Sequence, residues 1–305
     1  MGVITRGNFA LDLWPGINKH FGDEYKQHPI EYTRIFEKET TDQAFVRDVG
    51  VTGFGLAAQV GEGQGVHYDT AQQGFVKDYT IVDYGLGFII TRNMVDDDQY
   101  RRPAKNRARA LAFSMRQTKE ILGANVLNRA FDSNYTGADG LELCSEVHLN
   151  AGGAGGTYAN EPDNGLDLSN DALEQMWIDI AGWTDDRGNK ISAQPRRLII
   201  PPALKFEADR ILKTVQEPGT ANNDINAVRA AGVIPEGAFV NHFRTDSDAW
   251  FVITNIPNGL KYIERMGDTF STDNDFDTDN AKFKAIFRCA FGWTNPKGIY
   301  GSPGA

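Results

Sequence analysis

The sequence predicts an α+β fold, in which extended strands flank one long helix and a separate α/β region. Three observations carry this prediction. Strand-like runs enclose a Gly-rich polar stretch within residues 46–92, and apolar residues recur at helical spacing from Ala104 to Val126. Apolar and basic residues alternate from Lys282 to Trp293, as in a half-buried strand. The 32 glycines also favour turns and strands over a helical bundle.

Composition narrows the class of protein. Hydrophobic residues make up 41% of the chain, which is enough for a packed core and excludes a disordered polymer. The formal charge of -10 argues against a chain whose whole surface binds nucleic acid. Two cysteines, Cys144 and Cys289, fit a reducing compartment. Since no signal peptide or apolar run of membrane-spanning length is visible, we expect a soluble protein made in a cytoplasm, without membrane contact.

Residues 1–45 form a predicted N-terminal arm. Four large aromatic residues in it follow no helical period: Phe21, Tyr25, Tyr32 and Phe36. Such a segment cannot make a core alone, so it must lie on another part of the chain or on a neighbour. Because no partner strand is evident, the pattern favours a neighbouring subunit.

Residues 46–92 are predicted to form a long β-hairpin. The run AFVRDVGVTGFG is strand-like, and the return run FVKDYTIVDYGLGFIITRN is rich in β-branched and aromatic residues. The tip between them is polar and Gly-rich, so it is either disordered alone or held by a partner. The candidate intersubunit tip residues are Gly61, Glu62, Gly63, Gln64, Gly65, His67, Tyr68 and Asp69.

The long helix is the strongest local signal. Asp96, Asp97 and Asp98 suit a helix N-terminus, and Pro103 suits a first turn. The apolar stripe that follows predicts about seven turns, ending near Phe131. That stripe comprises Ala104, Ala108, Leu111, Ala112, Met115, Leu122 and Val126.

The same helix carries a candidate DNA-facing basic surface. Five of its cations fall on one face beside the apolar stripe: Arg102, Lys105, Arg109, Arg116 and Lys119. This pattern suits attraction to the phosphates of packaged DNA without base recognition. Two alternatives stay open, a solvated face and a face that pairs with acidic groups of adjacent subunits.

Residues 146–258 are predicted to form an α/β region. A helix follows Asn170, RRLIIPP forms a buried strand, Pro202 opens a second helix, and AWFVITN forms another strand. The first helix places one group of side chains on one face: Leu173, Met176, Trp177, Ile180 and Ala181. In the terminal strand, Phe283, Ala285, Phe287, Cys289, Phe291 and Trp293 share the apolar face, with Lys282, Lys284 and Arg288 opposite.

This order of parts resembles the Hong Kong 97-type fold of tailed-bacteriophage major capsid proteins. The best-matching motifs are DYGLGFIITRNMVDDDQY, PRRLIIPPAL and FGWTNPKGIYGSPGA. The resemblance implies an arm (1–45), an extended loop (46–92), a peripheral domain with a spine helix (93–145), an axial domain (146–258) and C-terminal peripheral strands (259–305).

The resemblance also implies a function and partners. It implies a non-enzymatic subunit that forms pentamers and hexamers of an icosahedral head around double-stranded DNA, assembled in the bacterial cytoplasm. The chain has no room for a helical scaffolding extension, so we expect a separate scaffold protein or a processed form. A portal, and in some heads a decoration protein, would complete the set of partners.

Two other functions are compatible with parts of the sequence, and two short motifs resemble binding sites. An encapsulin-like bacterial compartment shares the fold, and an α/β enzyme on residues 146–258 would give the arm and hairpin no role. The G-x-G-x-x-A motif at Gly53 precedes further glycines that forbid the helix a dinucleotide site needs. The run Asp273, Asp275, Asp277 and Asp279 lacks the Gly and Glu of a calcium loop. We therefore expect no catalytic, cofactor or metal site.

Overall fold

The computed structural model describes residues 21–22, 29–93, 101–151, 156–216, 224–275, 278 and 280–305, with the backbone alone for 101–103. The strands are β1 Glu37–Thr40, β2 Phe45–Val51, β3 Gln73–Thr80, β4 Val82–Ile90, β5 His148–Leu149, β6 Thr157–Tyr158, β7 Pro195–Ile200, β8 Ala238–Val240, β9 Trp250–Thr254, β10 Leu260–Asn274, β11 Ala281–Trp293 and β12 Ile299–Ser302. The helices are α1 Arg101–Asn128, α2 Asn170–Gly182, α3 Lys205–Lys213 and α4 Ala227–Ala231, with 3-10 turns at Tyr32–Arg34, Pro202–Leu204 and Pro296–Gly298.

The first sheet has the strand order β1-β10-β11-β4 and packs against the long helix α1. The pairings β10–β11 and β11–β4 are antiparallel, whereas β1 runs parallel to β10. Leu111, Met115 and Leu127 of α1 are buried in one core with Tyr262 and Phe287 of the sheet. Burial of one helix stripe against one sheet face is the usual way in which both elements remove their apolar surface from water.

The second sheet has the order β12-β9-β7-β8 and lies among the shorter helices. Its core combines Leu173 and Met176 of α2 with Leu198, Trp250 and Tyr300 of the sheet. Ser169 caps α2 by accepting a 3.1 Å hydrogen bond from the Ala172 amide, the role that serine favours at a helix start. The predicted buried strands RRLIIPP and AWFVITN correspond to β7 and β9.

The predicted long helix is confirmed as α1, which ends at Asn128, three residues before the expected end. Ala104, Ala108, Leu111, Ala112 and Met115 are all buried, as the periodicity requires. The Asp96–Asp98 start signal lies outside the described residues, and the side chain of Pro103 is likewise not described.

The predicted hairpin over 46–92 is too long. Only β2 and β3 pair with each other, from Phe45 opposite Thr80 to Val51 opposite Gln73. The second half of the return run is β4, which pairs with β11 in the first sheet. Aromatic pairs hold it there: Tyr84 stacks on Phe287 and Phe88 on Phe283, with ring centroids 5.2 and 4.8 Å apart.

The expectation that the arm needs a neighbour is wrong for its described part. Phe21, Tyr32 and Phe36 are buried in the first core, and Tyr25 lies outside the described residues. Residues Glu37–Thr40 form β1, so the partner strand that the sequence did not reveal is β10 of the same chain. Gly123 of α1 permits the close approach of the arm to this helix, because a Cβ at position 123 would lie only 3.2 Å from the Tyr32 Cβ.

The faces of two further elements were predicted with different success. The alternation in β11 is confirmed, with Phe283, Ala285, Phe287 and Cys289 buried while Lys282 and Lys284 are exposed. In α2 the prediction is wrong for Trp177, which is 47% exposed, and for Ala181, which is also exposed. The buried stripe of α2 consists of Ala172, Leu173, Met176 and Ile180, so it is shifted toward Ala172 and away from Trp177 and Ala181.

Candidate assembly surfaces

The connection between β2 and β3, residues 52–72, projects without a core of its own and is called the tip segment below. Thr52 is buried, and every residue from 53 to 72 is exposed. The eight predicted tip residues are therefore all exposed: Gly61, Glu62, Gly63, Gln64, Gly65, His67, Tyr68 and Asp69. Gly63 has φ +79° inside the turn closed by the Gln64 amide on the Gly61 carbonyl, a conformation that glycine adopts without strain.

The tip segment carries large apolar side chains that contact little. Tyr68 is 90% exposed and Leu56 is 84% exposed, and Phe54 and Val66 are also well exposed. Single exposed apolar residues are ordinary, whereas several on one short projecting segment make a candidate interaction surface. The sequence prediction missed this apolar content, because it treated the tip as polar.

Hydrogen bonds inside the tip segment give it a defined shape. Thr52 and Gln72 are joined by amide and hydroxyl hydrogen bonds of 2.9 to 3.1 Å. Farther out, the Asp69 carboxylate accepts 2.8 Å hydrogen bonds from the amides of Gly55 and Thr70. These two bonds lower the pKa of Asp69, so its charge is retained at neutral pH.

A polar network around the buried Lys261 fixes the base of the hairpin to the first sheet. Lys261 Nζ lies 2.6 Å from Asp48 Oδ2 and 3.0 Å from Glu39 Oε1. Thr294 donates a 2.8 Å hydrogen bond to the same Asp48 oxygen and shares another of 2.6 Å with the Tyr79 hydroxyl. Burial would lower the pKa of Lys261, but the bonds to both carboxylates raise it. The lysine therefore keeps its charge and anchors β2 to β10.

The predicted basic face of α1 is only partly formed. Lys105 and Arg109 are exposed, and the side chain of Arg102 is not described. Arg116 and Lys119 are buried, so their assignment to a DNA-facing surface is wrong. Lys119 Nζ lies 2.5 Å from Asp268 Oδ2 and 4.6 Å from the Phe287 ring centre, because this part of α1 is covered by the arm and the sheet.

The arm is held by residues that the sequence did not single out. The amides of Glu31 and Tyr32 donate hydrogen bonds of 3.0 and 2.9 Å to the carboxylate of Glu120 on α1. Glu31 in turn accepts a 3.0 Å bond from the His242 amide, and its Oε1 lies 2.6 Å from His242 Nδ1. These partners are 88 to 211 residues apart in sequence, so no local pattern could have revealed them.

Other buried titratable groups also have a structural role. His148 is fully buried, with Nδ1 2.5 Å from Asp139 Oδ2. Lys297 Nζ donates to Asn150 Oδ1 at 2.6 Å and to the Thr184 carbonyl at 2.8 Å. Burial raises the pKa of Cys144 well above its ordinary value and that of Cys289 to about 12. Both thiols therefore stay protonated, which leaves them poor nucleophiles.

Neither a metal cluster nor a membrane span occurs in the part of the chain that the structure describes. No three His, Cys, Asp or Glu side chains there are grouped to hold an ion, and Asp277 and Asp279 of the acidic run lie outside it. None of the described helices is both long and apolar enough to cross a membrane.

Comparison with solved structures identifies the fold. The mature capsid protein of bacteriophage PhiM1 matches with a TM-score of 0.55 at 10% identity, over 90% of this chain and 86% of that chain. The SrpI encapsulin of Synechococcus elongatus matches with a TM-score of 0.51 at 11% identity, over 89% and 86%. A virus-like particle from Pyrococcus furiosus matches with a TM-score of 0.50 at 13% identity, over 94% and 97%.

Comparison with sequences identifies the family. No curated protein sequence matches the chain significantly. A family model described as phage capsid protein matches residues 74–302, which is most of the chain. The predicted Hong Kong 97-type fold and shell-forming role are thereby confirmed. The chain belongs to the phage capsid protein family and is a shell-forming structural subunit.

Proposed function

We propose that this subunit builds the icosahedral head of a tailed phage as pentamers and hexamers, with the tip segment lying across a neighbouring copy. The observation that carries this proposal is the exposure of Leu56 and Tyr68 on a segment without a core. A neighbour that covers them would bury apolar area worth about 25 cal/mol per Å². Because each subunit both gives and receives such a contact, the interface is heterologous, the kind of interface that forms rings when its rotation closes.

Many weak contacts of this kind suit a shell. When two copies are already held together, further contacts between them form at a high effective concentration. Each contact can therefore be weak while the whole assembly is stable. Shell expansion would then be a change between two packings of the same subunit.

The test compares two variants of the tip segment. Leu56→Ser with Tyr68→Ser removes the exposed apolar side chains, and Glu62→Ser is the matched control in the same segment. We expect wild type and the control to give large closed particles in negative-stain microscopy, and the double variant to stop at capsomers or smaller species. A double variant that assembles like wild type would contradict the proposed role of the segment.

We also propose that the exposed cations of α1 contact packaged double-stranded DNA without sequence preference. Lys105 and Arg109 are exposed on this face, and Arg107 is exposed between them. Each phosphate neutralised by such a residue adds to a salt-dependent attraction. The test is genome retention by heads that carry Lys105→Glu and Arg109→Glu, at low and high salt. Retention equal to wild type at both would refute the contact.

The remaining partners are proposed from the resemblance to tailed-phage capsid proteins. A separate scaffold protein, a portal and, in some heads, a decoration protein would act with this subunit during assembly in the bacterial cytoplasm. The encapsulin alternative shares only the fold, whereas the family model is that of phage capsid proteins. Co-purification of DNA, as opposed to a cargo enzyme, would separate the two functions. No catalytic role is proposed.

A further inference from the structure

The side chain of Arg187, on the body of the subunit, contacts the tip segment at three points. Its Nε donates a 3.2 Å hydrogen bond to the Gly53 carbonyl, and its Nη2 donates to the Thr70 carbonyl. The same Nη2 lies 3.6 Å from Asp69 Oδ1. One planar guanidinium thus joins the outgoing side of the tip segment, its returning side and a carboxylate, a set of acceptors that its rigid fork suits and that an ammonium could not reproduce.

Arg187 stands on a turn that is braced independently of it. Asp185 accepts hydrogen bonds of 2.8 Å from the amides of Arg187 and Asn189, and its own amide donates to the Asn189 carbonyl. Gly188 closes the turn with φ +82°. Asp186 next to it accepts a 3.1 Å bond from the Ala151 amide, which ties the turn to the body of the subunit. The guanidinium is therefore presented from a fixed position.

The two acceptor carbonyls lie at the base of the exposed part of the tip segment. Beyond Gly53 and Thr70, the described chain makes few hydrogen bonds, and its apolar side chains Leu56 and Tyr68 face solvent. An angular change at Gly53 and Thr70 would be carried outward along the whole projecting loop. The Arg187 contacts are therefore placed where they set the direction of the segment.

We propose that Arg187 is a latch that holds the tip segment at a fixed angle on its own subunit and so positions it for the neighbouring copy. This inference rests on the proposed assembly role of the tip segment. Arg187 acts through the segment and is a positioning residue. Because Arg187 restricts the tip segment before assembly, less conformational entropy is lost when the segment docks on the neighbouring copy.

The test uses Arg187→Ala, which removes the latch, and Arg187→Lys, which keeps the charge without the fork. Lys190→Ala is the matched control, because Lys190 lies beside the same turn and its ammonium donates a 2.6 Å hydrogen bond to the Gly182 carbonyl. The first measurement is hydrogen exchange, in unassembled wild-type and variant subunits, of the amides within residues 53–72 that donate hydrogen bonds, those of Gly55, Gln64, Thr70 and Gln72. We expect about a tenfold faster exchange in Arg187→Ala, an intermediate rate in Arg187→Lys, and no change in the control.

The second measurement is the distribution of assembly products by negative-stain microscopy. We expect Arg187→Ala to give fewer closed shells and more irregular or open particles, with an unchanged Tm of the subunit core. Unchanged exchange of residues 53–72 in Arg187→Ala refutes the latch, as does a closed-shell yield equal to wild type. The exchange measurement does not depend on assembly, so a wild-type chain that forms no shells would contradict the proposed function without being mistaken for failure of the latch.

Discussion

Lys119 on α1 lies 2.5 Å from Asp268 on β10, and both side chains are almost fully buried. The lysine also lies over the Phe287 ring, where an ammonium gains from the negative ring face. A charge pair in this position links the long helix to the first sheet through the protein interior. A charge that the sequence pattern assigned to a DNA-facing surface is instead part of the subunit core.

Removal of this lysine should destabilise the subunit strongly. Lys119→Ala leaves the Asp268 carboxylate buried without its partner, which typically costs about 3 to 5 kcal/mol. Lys284→Ala makes the same chemical change on the exposed face of β11 and should cost less than about 1 kcal/mol. Urea unfolding of unassembled subunits measures both. Equal losses in the two variants would show that the buried pair contributes nothing specific.

The stability of the subunit should depend on the protonation of Glu161. Burial, with the nearby carboxylates of Glu146 and Glu142, raises the pKa of Glu161 from 4.5 to about 7, and His148 opposes this. Because the folded protein binds this proton more tightly than the unfolded chain, the stabilising effect is present below pH 4.5 and is lost as pH rises through about 7.

Glu161→Gln tests this dependence. The amide cannot ionise, so the variant should gain stability over wild type as pH rises from 5 to 8, by about 1 to 2 kcal/mol after allowance for partial exposure. Glu62→Gln, an exposed control on the tip segment, should follow wild type. The measurement is Tm against pH for all three proteins. A constant difference between Glu161→Gln and wild type across that range would contradict the raised pKa.

Gly87→Ala should weaken the attachment of β4 to the first sheet. A Cβ at this position would lie 2.5 Å from the Phe283 carbonyl oxygen, closer than packed atoms tolerate, so the strand must shift. We expect a loss of about 1 to 3 kcal/mol. Gly65→Ala places a Cβ in open space and is the control. Calorimetry of both variants decides the point, and an unchanged Tm in Gly87→Ala would refute the close contact.

The attachment of the arm should depend on Glu120. Its carboxylate accepts the amides of Glu31 and Tyr32 and lies 3.7 Å from Arg116 Nε. Glu120→Ala leaves these donors buried without that acceptor, at a cost of about 3 kcal/mol or more. Limited proteolysis should then cut the chain before Ile35 faster than in wild type. Glu207→Ala, on the exposed side of α3, is the control and should leave the cleavage rate unchanged.

Local periodicity was sufficient where one element buries one regular face. The stripe from Ala104 to Met115 predicted α1, and the alternation from Phe283 to Cys289 predicted the buried face of β11. In both cases the spacing of side chains along a regular backbone decides which of them point to the same side, whatever they pack against. Periodicity failed for Trp177, because the width of a buried face depends on the partner surface and not on the helix.

The amino-acid sequence by itself determined the order of elements, the long helix, the buried face of β11 and, through them, the resemblance that the family match confirmed. Only the tertiary structure decided that β4 pairs with β11 and not within the hairpin, and that the described part of the arm packs in the core of its own subunit. It also decided that Arg116 and Lys119 are buried. The reason is physical. Backbone geometry imposes a side-chain period of two residues on strands and 3.6 residues on helices, and this period is visible in the sequence of each regular element. The contact between Lys119 and Asp268 joins residues 149 positions apart, and the contact between Arg187 and Gly53 joins residues 134 positions apart. Such contacts exist only once the chain has folded.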